Sequence, residues 1–174
     1  MPKPNQKEIK EILKYLKNKY KPESVQYMGY NRFALINSRR LTFNINETDA
    51  YLPKIREYRL TDAEGILIDL EREYNFIEKF THGVAVVSIR EVTRDFKAQS
   101  DLAFDFKRKE GLIDINGKEL LPCIYDSINV HLDGFVEISK GEVKKGGAFL
   151  PIIEEGKFDF EKAKWYNHEW IKRS

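Results

Sequence analysis

The stretch that decides the fold runs from Gly111 to Asp126: Gly-Leu-Ile-Asp-Ile-Asn-Gly-Lys-Glu-Leu-Leu-Pro-Cys-Ile-Tyr-Asp. Leu112–Ile115 and Lys118–Leu121 are extended-looking runs on either side of Asn116-Gly117. Asn-Gly tolerates the positive φ that both central residues of a two-residue type I′ turn require. The spacing therefore predicts a hairpin turning at Asn116-Gly117. Pro122 cannot donate to a ladder, which suits the edge or start of a strand.

Working outward, the same signals recur. Leu52-Pro53-Lys54-Ile55 matches Leu121-Pro122-Cys123-Ile124, and each proline stands 12 residues before a glycine, Gly65 or Gly134. Apolar residues follow both glycines: Ile66-Leu67-Ile68 and Phe135-Val136. These matches predict superposable units opening at Leu52 and Leu121, with Gly65 opposite Gly134 and Ile55 and Ile124 both facing the core. A poorer third copy keeps Tyr74 nine residues before Gly83, as Tyr125 stands nine before Gly134. One physical account covers the pattern: proline opens a strand edge, a polar segment turns, and glycine bends the chain into the next strand. Each unit then carries an apolar face that its neighbours must cover.

Elsewhere the period separates helix from strand. Ile9, Ile12, Leu13, Leu16 and Tyr20 lie at three-and-four spacing, with Asn5 and Glu8 placed as a capping box and Pro22 as a stop, so a helix is expected over 5–20. Arg32–Ile36 and Leu41–Ile45, joined by polar Asn37–Arg40, suggest a hairpin. The β-branched run Val84–Ile89 suits a strand buried on both faces. Leu102, Phe104 and Phe106 alternate with Ala103 and Asp105 as in a strand, and Phe135–Ile138 continues the β region. Asp159 followed by Phe160, Ala163, Tyr166, Asn167 and Trp170 at helical spacing predicts a second helix over 159–172.

On these residues the chain resembles the WG-repeat family, whose units run as Trp-Gly, an apolar residue, Ile-Asp, a Gly turn, Ile-Pro, Tyr-Asp, then Gly and small apolar residues. Gly111-Leu112-Ile113-Asp114, Gly117, Leu121-Pro122, Tyr125-Asp126 and Gly134-Phe135-Val136 carry the best unit. The defining tryptophan is missing, since Glu110 precedes Gly111 and Glu64 precedes Gly65. Arg90–Lys109 reads as an insertion. The resemblance implies a β-hairpin array spread over 52–149 and a role in protein interaction, with no catalytic residues to carry over.

The expected architecture is mainly β (α+β): WG-like hairpin repeats over 25–153, flanked by the N-terminal and C-terminal helices, in one domain over 1–174. At 174 residues the chain is long enough for a substantial core. Its 30 Lys and Arg nearly balance 28 Asp and Glu, so no global field commits it to nucleic acid or membrane. A single cysteine excludes an intramolecular disulfide, and neither a secretory leader nor a spanning apolar run is visible, which sets a cytoplasmic expectation.

The reactive groups are few and scattered along the chain. Cys123 sits between proline and isoleucine, away from any nucleophile motif, and reads as structural. His82, His131 with Asp133, and His168 lack a tight metal-ligand pair and read as turn residues. Asp69, Asp114 and Asp126 fit turn carboxylates better than a hydrolytic pair. Gly141 and Lys144–Gly147 fail the phosphate-loop spacing. A non-enzyme without metal or cofactor is expected. Lys7, Lys10, Lys14, Lys17 and Lys21 form a basic row beside the apolar helix face, as a partner-binding candidate or as solvated surface. The expected function is protein binding, specialised as an immunity-type protein that neutralises a toxin or effector. The alternatives are a nucleic-acid-associated protein using the lysine row, and a cryptic hydrolase using Asp114, Asp126 or His131.

Overall fold

A computed structural model describes residues 3–40, 54–94, 104–141, 144–150, 152–154 and 157–166. The chain opens with α1 (Gln6–Tyr20). Asn5 and Glu8 form the expected capping box, and Lys21 ends the helix in the left-handed region at φ 51°. Proline at 22 disfavours the right-handed helical geometry for Lys21.

Three antiparallel meanders follow. The first is β1 (Ser24–Gly29), β2 (Arg32–Arg40) and β3 (Lys54–Thr61). The second is β4 (Phe76–Ile77), β5 (Val84–Arg94) and β6 (Phe104–Asp114), extended by β7 (Glu119–Tyr125). The third is β8 (Ser127–Val130), β9 (Phe135–Lys140) and β10 (Lys144–Phe149). A short ribbon of β11 (Ile152–Glu154) and β12 (Lys157–Phe158) leads to β13 (Lys164–Tyr166), which pairs with β10.

Burial alternates along the middle strands so that the first two meanders each serve two cores. Phe33 and Leu35 of β2 meet Ile9 and Leu16 of the helix, whereas Ala34 and Ile36 join Ala85 and Val87 of β5. Val84 and Val86 turn the other way, toward Val136 and Ile138 of β9. The two-faced burial expected of Val84–Ile89 is thus explained: β5 lies between two layers. At the far end Asn129 and Glu137 are exposed, so the third meander closes the stack with a polar face.

Several expectations need correction. Asn37–Arg40 is not a turn but the end of β2, paired with Lys54–Glu57. The turn preceding β2 is Tyr30-Asn31, both at positive φ, and Leu41–Ile45 lies outside the described residues. The Asn116-Gly117 hairpin forms, but as a three-residue loop. Only Gly117 has positive φ, Gly117 N–H donates to Asp114 O at 3.1 Å, and Asp114 N–H donates to Lys118 O at 3.0 Å. The Asp114 carboxylate accepts the N–H groups of Asn116 and Lys118 and so fixes a type I turn. Two-residue turns with positive φ at both positions occur instead at Tyr30-Asn31 and at His82-Gly83.

The C-terminal helix does not form over the described part of 159–172. Asp159 does cap, but only the 3₁₀ turn Phe160–Lys162, and Lys164–Tyr166 is a strand. The open edge of β10 offers Trp165 and its neighbours a ladder, and Trp165 packs edge-on to Phe160 at 5.4 Å. Tertiary pairing overrides the helical spacing there. Residues 167–174 lie outside the described residues.

The unit register also shifts. Asn75 N–H donates to Ser88 O and Asp126 N–H to Ser139 O, both at 2.9 Å. The side chain of Asn75 accepts from Arg90 N, and that of Asp126 from Gly141 N. These partners align Tyr74 with Tyr125 and Gly83 with Gly134. Gly65 corresponds to Gly117, because Asp62 makes the same turn bonds as Asp114: Gly65 N–H donates to Asp62 O, and Asp62 N–H to Ile66 O. Gly65 and Gly134 occupy the same kind of turn at different places in the sequence of strands. Pro53 lies outside the described residues. Ile55 is buried as expected, whereas Ile124 is only half-buried.

Candidate interaction surfaces

The lysine row has a rigid base. Ile9, Ile12, Leu13 and Leu16 of α1 pack on Phe33, Leu35, Val25 and Tyr27, as their spacing predicts. Lys7, Lys10, Lys14, Lys17 and Lys21 are all exposed. Lys17 is partly consumed, since its Nζ donates to Pro22 O and Glu23 O at 2.6 Å and ties down the helix C-terminus.

A second basic surface escaped the sequence reading. Between the start of β3 and the β5–β6 ladder lies a cleft of about 520 Å³. Lys54 and Arg56 line one wall and Arg90 and Arg108 the other, over a floor that includes Asn75, Phe76 and Ser88. Asn75 sets its upper end by donating to Arg56 O at 2.9 Å while accepting from Arg90 N. Arg90 and Arg108 stand directly opposite on neighbouring strands. Glu78 is the acidic group lining the cleft; burial, then the nearby Glu110, pushes its carboxyl up, opposed by Arg108. No sequence signal marked this cleft, because its cations come from three strands and two of them lie in the segment read as an insertion.

The reactive groups within the described residues stand on separate strands and turns. Burial, then Glu119, pushes the Cys123 thiol up to about 12. His82 stacks on Phe158 at 4.2 Å, and His131 leans on Phe135 at the other turn. His168 lies outside the described residues. Among the described residues no group of three His, Cys, Asp or Glu gathers as metal ligands. Asp114 serves its turn, and the Lys109 ammonium, then Gly141 N–H, hold the Asp126 carboxyl below its usual range. Asp69 is exposed, and its backbone oxygen lies against Gly117. Lys144–Gly147 forms strand β10, not a loop opening a helix. Among the described residues no helix is long and apolar enough to cross a membrane.

Residues 111–147 match the WG containing repeat. The WG unit spans the end of β6, then β7, β8, β9 and the start of β10. Neither the curated proteins nor the solved structures yield a match. Just before the WG unit, where the resemblance places tryptophan, stands Glu110. It is buried, accepts from Ile128 N at 3.3 Å and pairs with Arg108 at 3.2 Å. The Glu110 carboxylate thus ties β6 to β8 at this position. Pro122 of the unit lies within β7, which is tolerated because β7 is the last strand of its sheet.

Proposed function

We propose that the protein is a non-enzymatic interaction module whose partner is another protein, working in the cytoplasm as an immunity-type factor that binds and neutralises a toxin or effector. The observation that carries the reading is the WG containing repeat at 111–147, set in a β-hairpin framework compatible with such a module. The docked helix adds a fixed row of positive charge, which steers an acidic partner toward its surface. Co-expression with the product of the neighbouring reading frame tests the proposal. A one-to-one complex and relief of that product's toxicity are expected; the absence of both overturns the specialisation. Lys10→Glu with Lys14→Glu should slow association at low salt, an effect that shrinks at high salt. Strongly salt-dependent binding to RNA or DNA, without a protein complex, favours the nucleic-acid reading instead.

A further inference from the structure

We infer that the cleft between β3 and the β5–β6 ladder is a docking slot for an extended acidic segment of a partner protein. The inference rests on the protein-interaction reading and adds to it where, and by what chemistry, the partner is held.

The charge pattern comes first. Lys54, Arg56, Arg90 and Arg108 converge on one cleft, and all four are exposed. Arg90 stands directly opposite Arg108 on the neighbouring strand, so both side chains leave the ladder on the same face and line the cleft together. Arginine presents planar donor pairs matched to a carboxylate. Glu110 pairs with Arg108 from within the sheet and Glu78 lines the cleft, so four cations stand against two carboxylates there.

The backbone supplies the second argument. Tyr58 N–H donates to Tyr74 O, and Arg56 O accepts from Asn75. Alternate residues of a strand direct their backbone groups to the same side. The N–H groups of Arg56 and Lys54 therefore point toward the cleft, along the outer edge of the last strand in the first sheet. An extended peptide can add to such an edge through its own main chain while its acidic side chains meet the walls.

The third argument separates peptide from nucleic acid. Base binding in a basic groove relies on open aromatic faces. The aromatic ring on this floor, Phe76, is already engaged by Tyr58 at 5.3 Å and by the Arg108 guanidinium at 5.9 Å.

The test uses the full chain and a fluorescent Asp/Glu-rich peptide, read by anisotropy at low salt. Saturable binding is expected, weakened about tenfold by Arg56→Glu or by Arg108→Glu and weakened again by added salt. Lys164→Glu, on the exposed far strand, should leave it unchanged. Bound peptide should also slow amide exchange at Lys54 and Arg56. Should Arg108→Glu fail to fold, Arg56→Glu and Lys54→Glu on the edge strand decide the matter. The proposal is overturned by absent saturable binding, or by loss on Lys10→Glu and Lys14→Glu with the cleft reversals silent. It is equally overturned if a single-stranded oligonucleotide binds the cleft more tightly than the peptide. Failure of the peptide while a protein partner still forms a one-to-one complex removes the slot and leaves the interaction reading standing.

Discussion

The chain crosses from one meander to the next twice, over 62–75 and over 114–126, and the crossings share their ends but not their middles. Both open on an aspartate turn closed by a left-handed glycine, Asp62 with Gly65 and Asp114 with Gly117. Both finish on a buried tyrosine followed by a residue whose backbone and side chain bond the next hairpin, Asn75 or Asp126. Between these points the second crossing is strand β7, whereas the first is irregular after the Thr61–Leu67 bridge. Residues 119–125 are largely apolar; 69–73 read Asp-Leu-Glu-Arg-Glu. The charged middle does other work. Glu71 accepts from Glu119 N, Arg72 pairs with Glu119 at 3.0 Å, and Asp69 O lies against Gly117. One crossing is thus a strand, and the other is the brace laid against it.

The comparison breaks most sharply at Gly111. An added Cβ there would stand 2.7 Å from Leu121 O and 2.8 Å from Cys123 Sγ. Arg59, three residues before Asp62 as Gly111 is before Asp114, lies over the Tyr20 ring, and among the described residues no strand like β7 lies beside it. Gly111→Ala should cost about 3 kcal/mol in chemical denaturation, and Arg59→Ala less than about 1 kcal/mol.

The two turns should respond alike. Asp62 accepts two backbone N–H groups, from Glu64 and Ile66, as Asp114 does from Asn116 and Lys118. Either aspartate replaced by alanine should lose about 1–2 kcal/mol. Asp133, which accepts from Phe135 N, should lose less on the same change.

Acid titration separates Asn75 from Asp126. A carboxyl with a lowered folded-state pKa stabilises the fold above its unfolded value. That contribution fades as pH falls through the folded value. Asp126→Asn, which copies the residue at 75, should flatten the acid limb of the stability profile. The change should be small, because the Asp126 side chain is 42% exposed and solvent screens its pair with Lys109.

The smallest effect is expected at Tyr74. Its hydroxyl is buried without a hydrogen-bond partner among the described residues. Tyr74→Phe should change stability by less than about 1 kcal/mol, toward greater stability, in thermal melts.

Local chemistry made much of this legible. The capped helix, its apolar face, the Gly111–Tyr125 hairpin and the two-faced strand at Val84 follow from periodicity and turn residues, because such signals act over a few neighbouring positions. The lysine row was readable for the same reason. The basic cleft was not, since Lys54, Arg56, Arg90 and Arg108 meet only after three strands are laid side by side.

Periodicity and turn residues were enough to show that the chain is mostly strand, that a hairpin turns at Asn116-Gly117, and that Gly111 to Val136 resembles a WG unit. Tertiary structure alone decided the register between units and the fate of Lys164–Tyr166. The matched Leu-Pro starts suggested one alignment, but the hydrogen bonds of Asn75 and Asp126 chose another. Helical spacing favoured a final helix, but the unfilled edge of β10 drew those residues into a sheet. In both cases the deciding partner lies on another strand, and a backbone donor or acceptor left unpaired in the core outweighs a local preference worth a few tenths of a kcal/mol per residue.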